Sequence, residues 1–265
     1  MIDLHCHMLP GIDDGAPDLE TSLAMARIAV ADGIEITACT PHIFPGLYEN
    51  TGPDIRLRVA ALQAELDKEE IPLTLTTGAD VQLSPDLVSG LRSGHILSLG
   101  DTRYFLFEPP HHVAPPRLED QVFASMAAGY HPIITHPERL RWIETHYETM
   151  QRMAQAGAWM QLTSGSLTGR FGKRSQYWSE RMLDEGLVHI LATDAHNTGR
   201  RAPHLAEARD FVAARLGDQA AIDMVVTRPR AVLDNVAPSL LPDAVGAQRP
   251  AGKTAGFLRR LFKAA

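Results

Sequence analysis

Residues 1–15 read MIDLHCHMLPGIDDG. Ile2, Asp3, Leu4 and His5 have the composition of a short strand, in which successive side chains point to opposite faces and residues two apart share one. His5 and His7 therefore point together, Cys6 points away from them, and two adjacent acids, Asp13 and Asp14, follow within a turn. A lone His-X-His is equally consistent with two exposed polar residues. The rest of the chain decides between these alternatives, because the same feature recurs in it.

Apolar segments at 2–5, 36–40, 73–79, 104–107, 133–135, 159–162 and 188–193 read as seven strands. Between them, 17–31, 54–69, 84–92, 118–128, 147–156 and 174–185 carry apolar residues at helical spacing, with Pro17 at a plausible first-turn position. Strands alternating with helices imply a parallel sheet. Six of the seven strands run into a His, Asp or Glu: His7, His42 in "TPH", Asp80 in "GAD", Glu108 in "FLFEPP", His136 in "IITHPER", and Asp194 with His196 in "LATDAH". An open sheet would spread these groups along a line, whereas a barrel brings the C-terminal ends of its strands to one rim. The expected fold is α/β, a distorted seven-stranded (β/α)7 barrel of the TIM-like kind.

The 265 residues suit such a single domain, and 45% apolar composition is ample for its core. A formal net charge of -7 argues against nonspecific binding of nucleic acid or an anionic membrane. Cys6 and Cys39 are the only cysteines, so no disulfide framework exists. No apolar run reaches the ~20 residues that span a bilayer, and no basic segment with an apolar run resembles a secretory signal, so the cytosol is the expected compartment.

Neutral imidazoles and carboxylates are the ligand types that suit zinc, manganese or iron, and their convergence on one rim implies a metal site. Taken with "GSLTGRFGKR" (165–174), the segments "DLHCHMLPGIDDG", "TPH", "THPER" and "ATDAHN" resemble the polymerase and histidinol phosphatase (PHP) family. Within it they are most similar to the bacterial metal-dependent protein-tyrosine phosphatases of capsular and exopolysaccharide assembly. The similarity covers roughly residues 1–236.

That resemblance implies three divalent ions, with manganese often the best activator and zinc or iron as alternatives. Carried over by position, His5, His7 and Asp194 would hold one ion, Glu108 and His136 a second, and Asp14, His42 and His196 a third. Asp80 would bridge the first two, at a position where the family commonly has Glu. Three divalent ions against four carboxylates leave a net positive pocket suited to a phosphate dianion. Arg139 and Arg201 match positions that contact the phosphate, and the guanidinium fork fits its oxygens. The ions would activate a water for in-line attack on phosphorus. A phenolate leaving group, with a pKa of about 10, needs no general acid.

Competing classes fail on particular residues. A thiol phosphatase needs Cys-X5-Arg, but Ile12 and Pro45 occupy the arginine positions. An amidohydrolase often carries a carbamylated lysine at a strand end, and Lys68, Lys173, Lys253 and Lys263 are not so placed. A small-molecule phosphatase of the histidinol-phosphate type and a nonenzymatic kinase-docking scaffold remain as alternatives. Loops 44–53 and 109–116, rich in Pro and Gly, suit exposed walls around an open site more than a closing lid. The expected substrate is therefore the phosphorylated tail of a bacterial tyrosine kinase, the kinase itself being implied by the resemblance. His111 and His112 read as a solvated loop outside the ligand set, and "GSLTGRFGKR" could offer backbone N–H groups to an anion. Residues 237–265 form a tail ending in "GFLRRLFKAA", where Phe257, Leu258, Leu261 and Phe262 recur beside Arg259, Arg260 and Lys263. This spacing fits a short amphipathic helix in peripheral contact with a membrane or a membrane-bound kinase. A frayed or locally packed terminus fits it as well.

Overall fold

The computed structural model describes residues 1–247 and has an α/β fold built on parallel sheets. Its strands are β1 (Ile2–Cys6), β2 (Ile36–Cys39), β3 (His42–Ile43), β4 (Thr74–Thr77), β5 (Asp80–Gln82), β6 (Tyr104–Glu108), β7 (His131–Thr135), β8 (Trp159–Thr163) and β9 (Ile190–Ala192). One sheet has the order β1-β2-β4 and the other β3-β5-β6-β7-β8-β9. The described residues thus form nine strands where the sequence suggests seven, because beyond the second and third expected strands, 36–40 and 73–79, the chain resumes after a break as the short strands β3 and β5. Pro41, which has no N–H to donate, stands at one break, and Gly78 at the other, where its backbone lies so close to Leu99 and Thr40 that an added Cβ would come within 2.8 Å and 2.9 Å of them.

The breaks leave the register unchanged. Ile36 faces Thr74 and Cys39 faces Thr77, and beyond the gap His42 faces Asp80 in the same step. Gly78 N donates to Cys39 O and Asp80 N to Pro41 O, both at 3.1 Å, across the gap. At the other seam, Asp194 N donates to His5 O and His7 N to Ala195 O, both at 2.8 Å. The buried Asp3 carboxylate joins the same two segments by accepting from Thr193 N at 3.0 Å and from the Thr193 hydroxyl.

Period-two alternation then orders each strand along its length. Tyr104 and Leu106 of β6, Ile133 of β7, Trp159 of β8 and Ile190 of β9 share a small apolar cluster, while Phe105, Phe107, Ile134, Met160, Leu162 and Leu191 face the larger core. Continuing the first set leads to Glu108, Thr135, Gln161 and Asp194. Polar groups therefore gather above an apolar plug at the C-terminal strand ends.

The helices are α1 (Leu19–Ala31), α2 (Gly52–Lys68), α3 (Leu87–Ser93), α4 (Leu118–Ala127), α5 (Ile143–Gln155), α6 (Ser164–Leu167), α7 (Lys173–Asp184), α8 (Ala206–Leu216), α9 (Asp218–Ile222) and α10 (Arg228–Leu233). Pro17 stands outside the first turn of α1, because Asp18 takes the cap and accepts from Thr21 N at 2.8 Å. α6 and α8 to α10 are additional to the expected helices. α8 buries only Ala208 and Val212, too narrow a stripe to show as an apolar period. Opposite the polar rim, Tyr104 Oη donates to Val236 O at 2.7 Å, and buried Arg228 donates to His189 O at 3.2 Å and Asp243 O at 2.9 Å. No described helix is long and apolar enough to cross a membrane. The tail helix suggested around Phe257–Phe262 lies outside the described residues.

Candidate metal centre

The two acids after the first strand divide their work. Asp13 turns inward, accepting from His7 Nδ1 at 2.8 Å and from His42 N at 3.1 Å, whereas Asp14 is half exposed and reaches His42 Nε2 at 3.4 Å and His196 Nε2 at 3.3 Å. The turn that follows them needs Gly15, because a Cβ there would lie 2.2 Å from His7 O and 2.5 Å from His7 Cβ.

His5 and His7 do converge. Gln161 Oε1 lies 2.8 Å from His5 Nδ1 and can only accept, as can Asp13 Oδ2 beside His7 Nδ1, so both rings carry their proton on Nδ1. Their Nε2 lone pairs then meet head-on at 3.1 Å. Asp80 Oδ2 is 3.4 Å from His5 Nε2, and Asp194 Oδ1 lies 3.5 Å and 3.6 Å from the two nitrogens. Such a set of acceptors requires a cation among them. The site's electrostatics express the same demand: burial alone would depress His5, but Asp80 and Asp194 outweigh it and raise its pKa to about 9. Burial likewise opposes, and Asp14, Asp80 and Glu108 overcome, at His42, raised to about 10. His7 moves the other way, held well below its usual value by burial and by His196 and His42.

The remaining candidate ligands join this centre. His7, Asp14, His42 and His196 offer ligand atoms within 4.8 Å of one another, as do His5, His7 and Asp80; His42, Asp80 and Glu108; and Glu108, His111 and His136. Asp80 Oδ2, His42 Nδ1 and His136 Nδ1 are buried without a hydrogen-bond partner. The donor set and the orphaned Asp80 Oδ2 and His42 Nδ1 fit divalent ions, while His136 turns its Nε2 to Glu108 Oε1 at 3.6 Å. Two of the residues sit in strained backbone at strand ends, His136 at φ 35° and Asp194 at φ 49°, in the left-handed region that aims their side chains inward. Glu138, fully buried, accepts from Thr163 N at 3.0 Å and holds the turn after His136; burial pushes its carboxyl up to about 7.

Arg139 and Arg201 both reach Asp194, Arg201 Nη2 at 2.8 Å from Oδ1 and Arg139 Nη1 against Oδ2. Both line a cavity of about 390 Å³ whose walls include Phe44, Pro110, Val113 and the metal-type ligands. Buried Arg201 Nε has no partner. Three contributors are additional to the expected set: Asp13 and Gln161, which orient His7 and His5, and His111, whose Nε2 lies 3.4 Å from Glu108 Oε1 and whose ring is 4.8 Å from that of His136. His111 follows Glu108 by three residues, a spacing that was its only signal in the sequence.

A parallel α/β fold with a His- and carboxylate-rich centre at the strand ends is the class defined by this geometry, and a β-aspartyl dipeptidase structure shares the fold at a TM-score of 0.52 and 14% identity. The chain belongs to the capsular polysaccharide synthesis family CpsB/CapC, whose model matches residues 1–234. It is 40% identical over 221 residues to the tyrosine-protein phosphatase YwqE of Bacillus subtilis, covering 83% of this chain and 86% of the relative. It is 27% identical over 240 residues to the tyrosine-protein phosphatase CpsB of Streptococcus pneumoniae, covering 88% and 98%. A solved structure from work on YwqE and CpsB, described as unique metal-dependent tyrosine phosphatases, superposes with a TM-score of 0.86 at 36% identity, over 92% of this chain and 99% of the other.

Proposed function

We propose that this protein is a metal-dependent protein-tyrosine phosphatase that removes phosphate from the tail of a bacterial tyrosine kinase of capsule or exopolysaccharide synthesis. The observation that carries the proposal is the pair of Nε2 atoms of His5 and His7 facing each other at 3.1 Å among carboxylates, beside two arginines on one cavity. His5, His7 and Asp194 would hold one ion, Glu108 and His136 a second with His111 beside them, and Asp14, His42 and His196 a third, with Asp80 between the first two. Manganese is the metal proposed. Such ions supply Lewis acidity and an activated water.

The chain's own residues do the rest. Arg139 and Arg201 present their guanidinium forks to the phosphoryl oxygens, and Asp194 holds both forks at the mouth until substrate arrives. Phe44, Pro110 and Val113 give the ester's aromatic group an apolar wall. No side chain is assigned as general acid, because a phenolate leaves readily.

Three further readings belong to the proposal. The unbroken register across the β2–β3 and β4–β5 gaps, with the β1–β9 hydrogen bonds, supports one distorted barrel of seven strand positions. Residues 1–236 form the phosphatase domain and 237–265 its tail, and the protein acts in the cytoplasm. Phosphotyrosine peptide, phosphoserine peptide and histidinol phosphate, compared as substrates of the Mn-loaded protein, test the substrate assignment. The phosphotyrosine peptide should have the highest kcat/KM; preference for histidinol phosphate would move the function to a small-molecule phosphatase.

A further inference from the structure

The rim of the cavity is electrically uneven. One wall carries the half-exposed Asp14 carboxylate. On the other, basic residues are tied into an arc by backbone contacts. Arg141 N donates to His111 O at 2.9 Å, placing Arg141 beside a residue of the cavity wall. Arg174, in the first turn of α7 next to Lys173, donates through Nη2 to Leu140 O at 2.9 Å and Arg141 O at 3.2 Å. Arg200, next to Arg201, donates to Arg170 O at 3.1 Å.

Two of these cations are neutralised, Arg170 by Glu207 at 2.7 Å and Arg174 by Glu144 at 3.0 Å. Among the described residues, exposed Arg141, Lys173 and Arg200 have no such carboxylate partner. Arg141 and Arg200 adjoin the cavity residues His111 and Arg201, and Lys173 precedes Arg174, whose guanidinium reaches Arg141 O; in a chain of net charge -7 these cations form a local field of the sign opposite to the whole.

We propose that Arg141, Lys173 and Arg200 hold acidic residues flanking the phosphotyrosine of the substrate polypeptide. The proposal rests on the tyrosine-phosphatase reading above and adds a sequence preference to it. The three side chains lie outside the metal centre, so they act on the approach and residence of the polypeptide and leave the phosphate chemistry to Arg139, Arg201 and the ligands. Exposed charges of this kind are individually weak and screened by salt, so the preference is collective and salt-dependent.

The test uses the Mn-loaded full chain and phosphotyrosine peptides identical except for flanking Glu, Gln or Lys, with p-nitrophenyl phosphate as a substrate that cannot reach the arc. At ~50 mM salt the Glu peptide should exceed the Gln peptide about tenfold in kcat/KM, and the ratio should shrink toward one at ~500 mM. Replacing all three residues by glutamine should abolish the preference by raising KM for the Glu peptide, with p-nitrophenyl phosphate turnover retained as evidence of an intact fold. Equal kcat/KM for the Glu and Gln peptides in the unaltered protein, or a preference undiminished in the triple variant, would overturn the proposal. Turnover of p-nitrophenyl phosphate with no turnover of any phosphotyrosine peptide would overturn the phosphatase reading and the proposal with it.

Discussion

Asp13 and Asp14 are neighbours in sequence with different environments, and substitutions should separate them. Asp13 fixes the proton of His7 on Nδ1 and aims Nε2 at the centre. A carboxylate in that position behind a metal-ligating histidine typically supports the metal affinity 10- to 100-fold, so Asp13→Ala should lower manganese affinity by about that factor, measured by titration with inductively coupled plasma analysis. Asp80 is a sharper case. Its Oδ2 is buried, without a hydrogen-bond partner, 3.4 Å from His5 Nε2 and 3.6 Å from His42 Nδ1. Asp80→Asn should lose both activity and metal content, while Asp80→Glu, the residue common in the family, should keep the ions. Normal metal content and turnover in Asp80→Asn would take that carboxylate out of the site.

At the scale of elements, the join between β1 and the segment after β9 depends on one buried acid. Asp3 accepts from His5 N at 3.3 Å, from Thr193 N at 3.0 Å and from the Thr193 hydroxyl, and burial pushes its carboxyl up to about 6. Asp3→Ala would strand those donors in the interior, and urea denaturation should show a loss of about 2–4 kcal/mol. Parallel strands ending in ligand-type residues were legible from the sequence because alternation and strand-helix order are local signals. The resumption of β5 beyond Gly78 was not, since the close approach there depends on where Leu99 and Thr40 lie in space. The role of Gln161 was hidden for the same reason: 156 residues separate it from His5, and a glutamine within an apolar strand carries no mark of its partner. His111 looked like solvated loop because its contact with Glu108 depends on how a Pro-rich turn folds back.

For the whole molecule, acid stability is set partly at the end of the sheets away from the metal centre. Burial and Arg103 lower His131 to about 4, and burial, Arg228 and His131 lower His189 to about 3. In the unfolded chain both should titrate near 6.5, so between pH 6.5 and 4 the unfolded state binds more protons and the native state loses stability as pH falls. Replacing both with glutamine should flatten the stability curve in that window relative to the unaltered protein; parallel curves would refute the assignment. Removal of residues after Gly252 should leave small-substrate turnover unchanged, since the described cavity is built wholly from residues between Asp14 and Arg201. The metal requirement at the heart of the mechanism is tested most directly by one measurement, kcat/KM for a phosphotyrosine peptide before chelation, after thorough metal stripping, and after manganese is returned. Activity should vanish on stripping and return at least in part with manganese, whereas full turnover by the metal-free protein would contradict a phosphatase built on His5, His7 and their carboxylates.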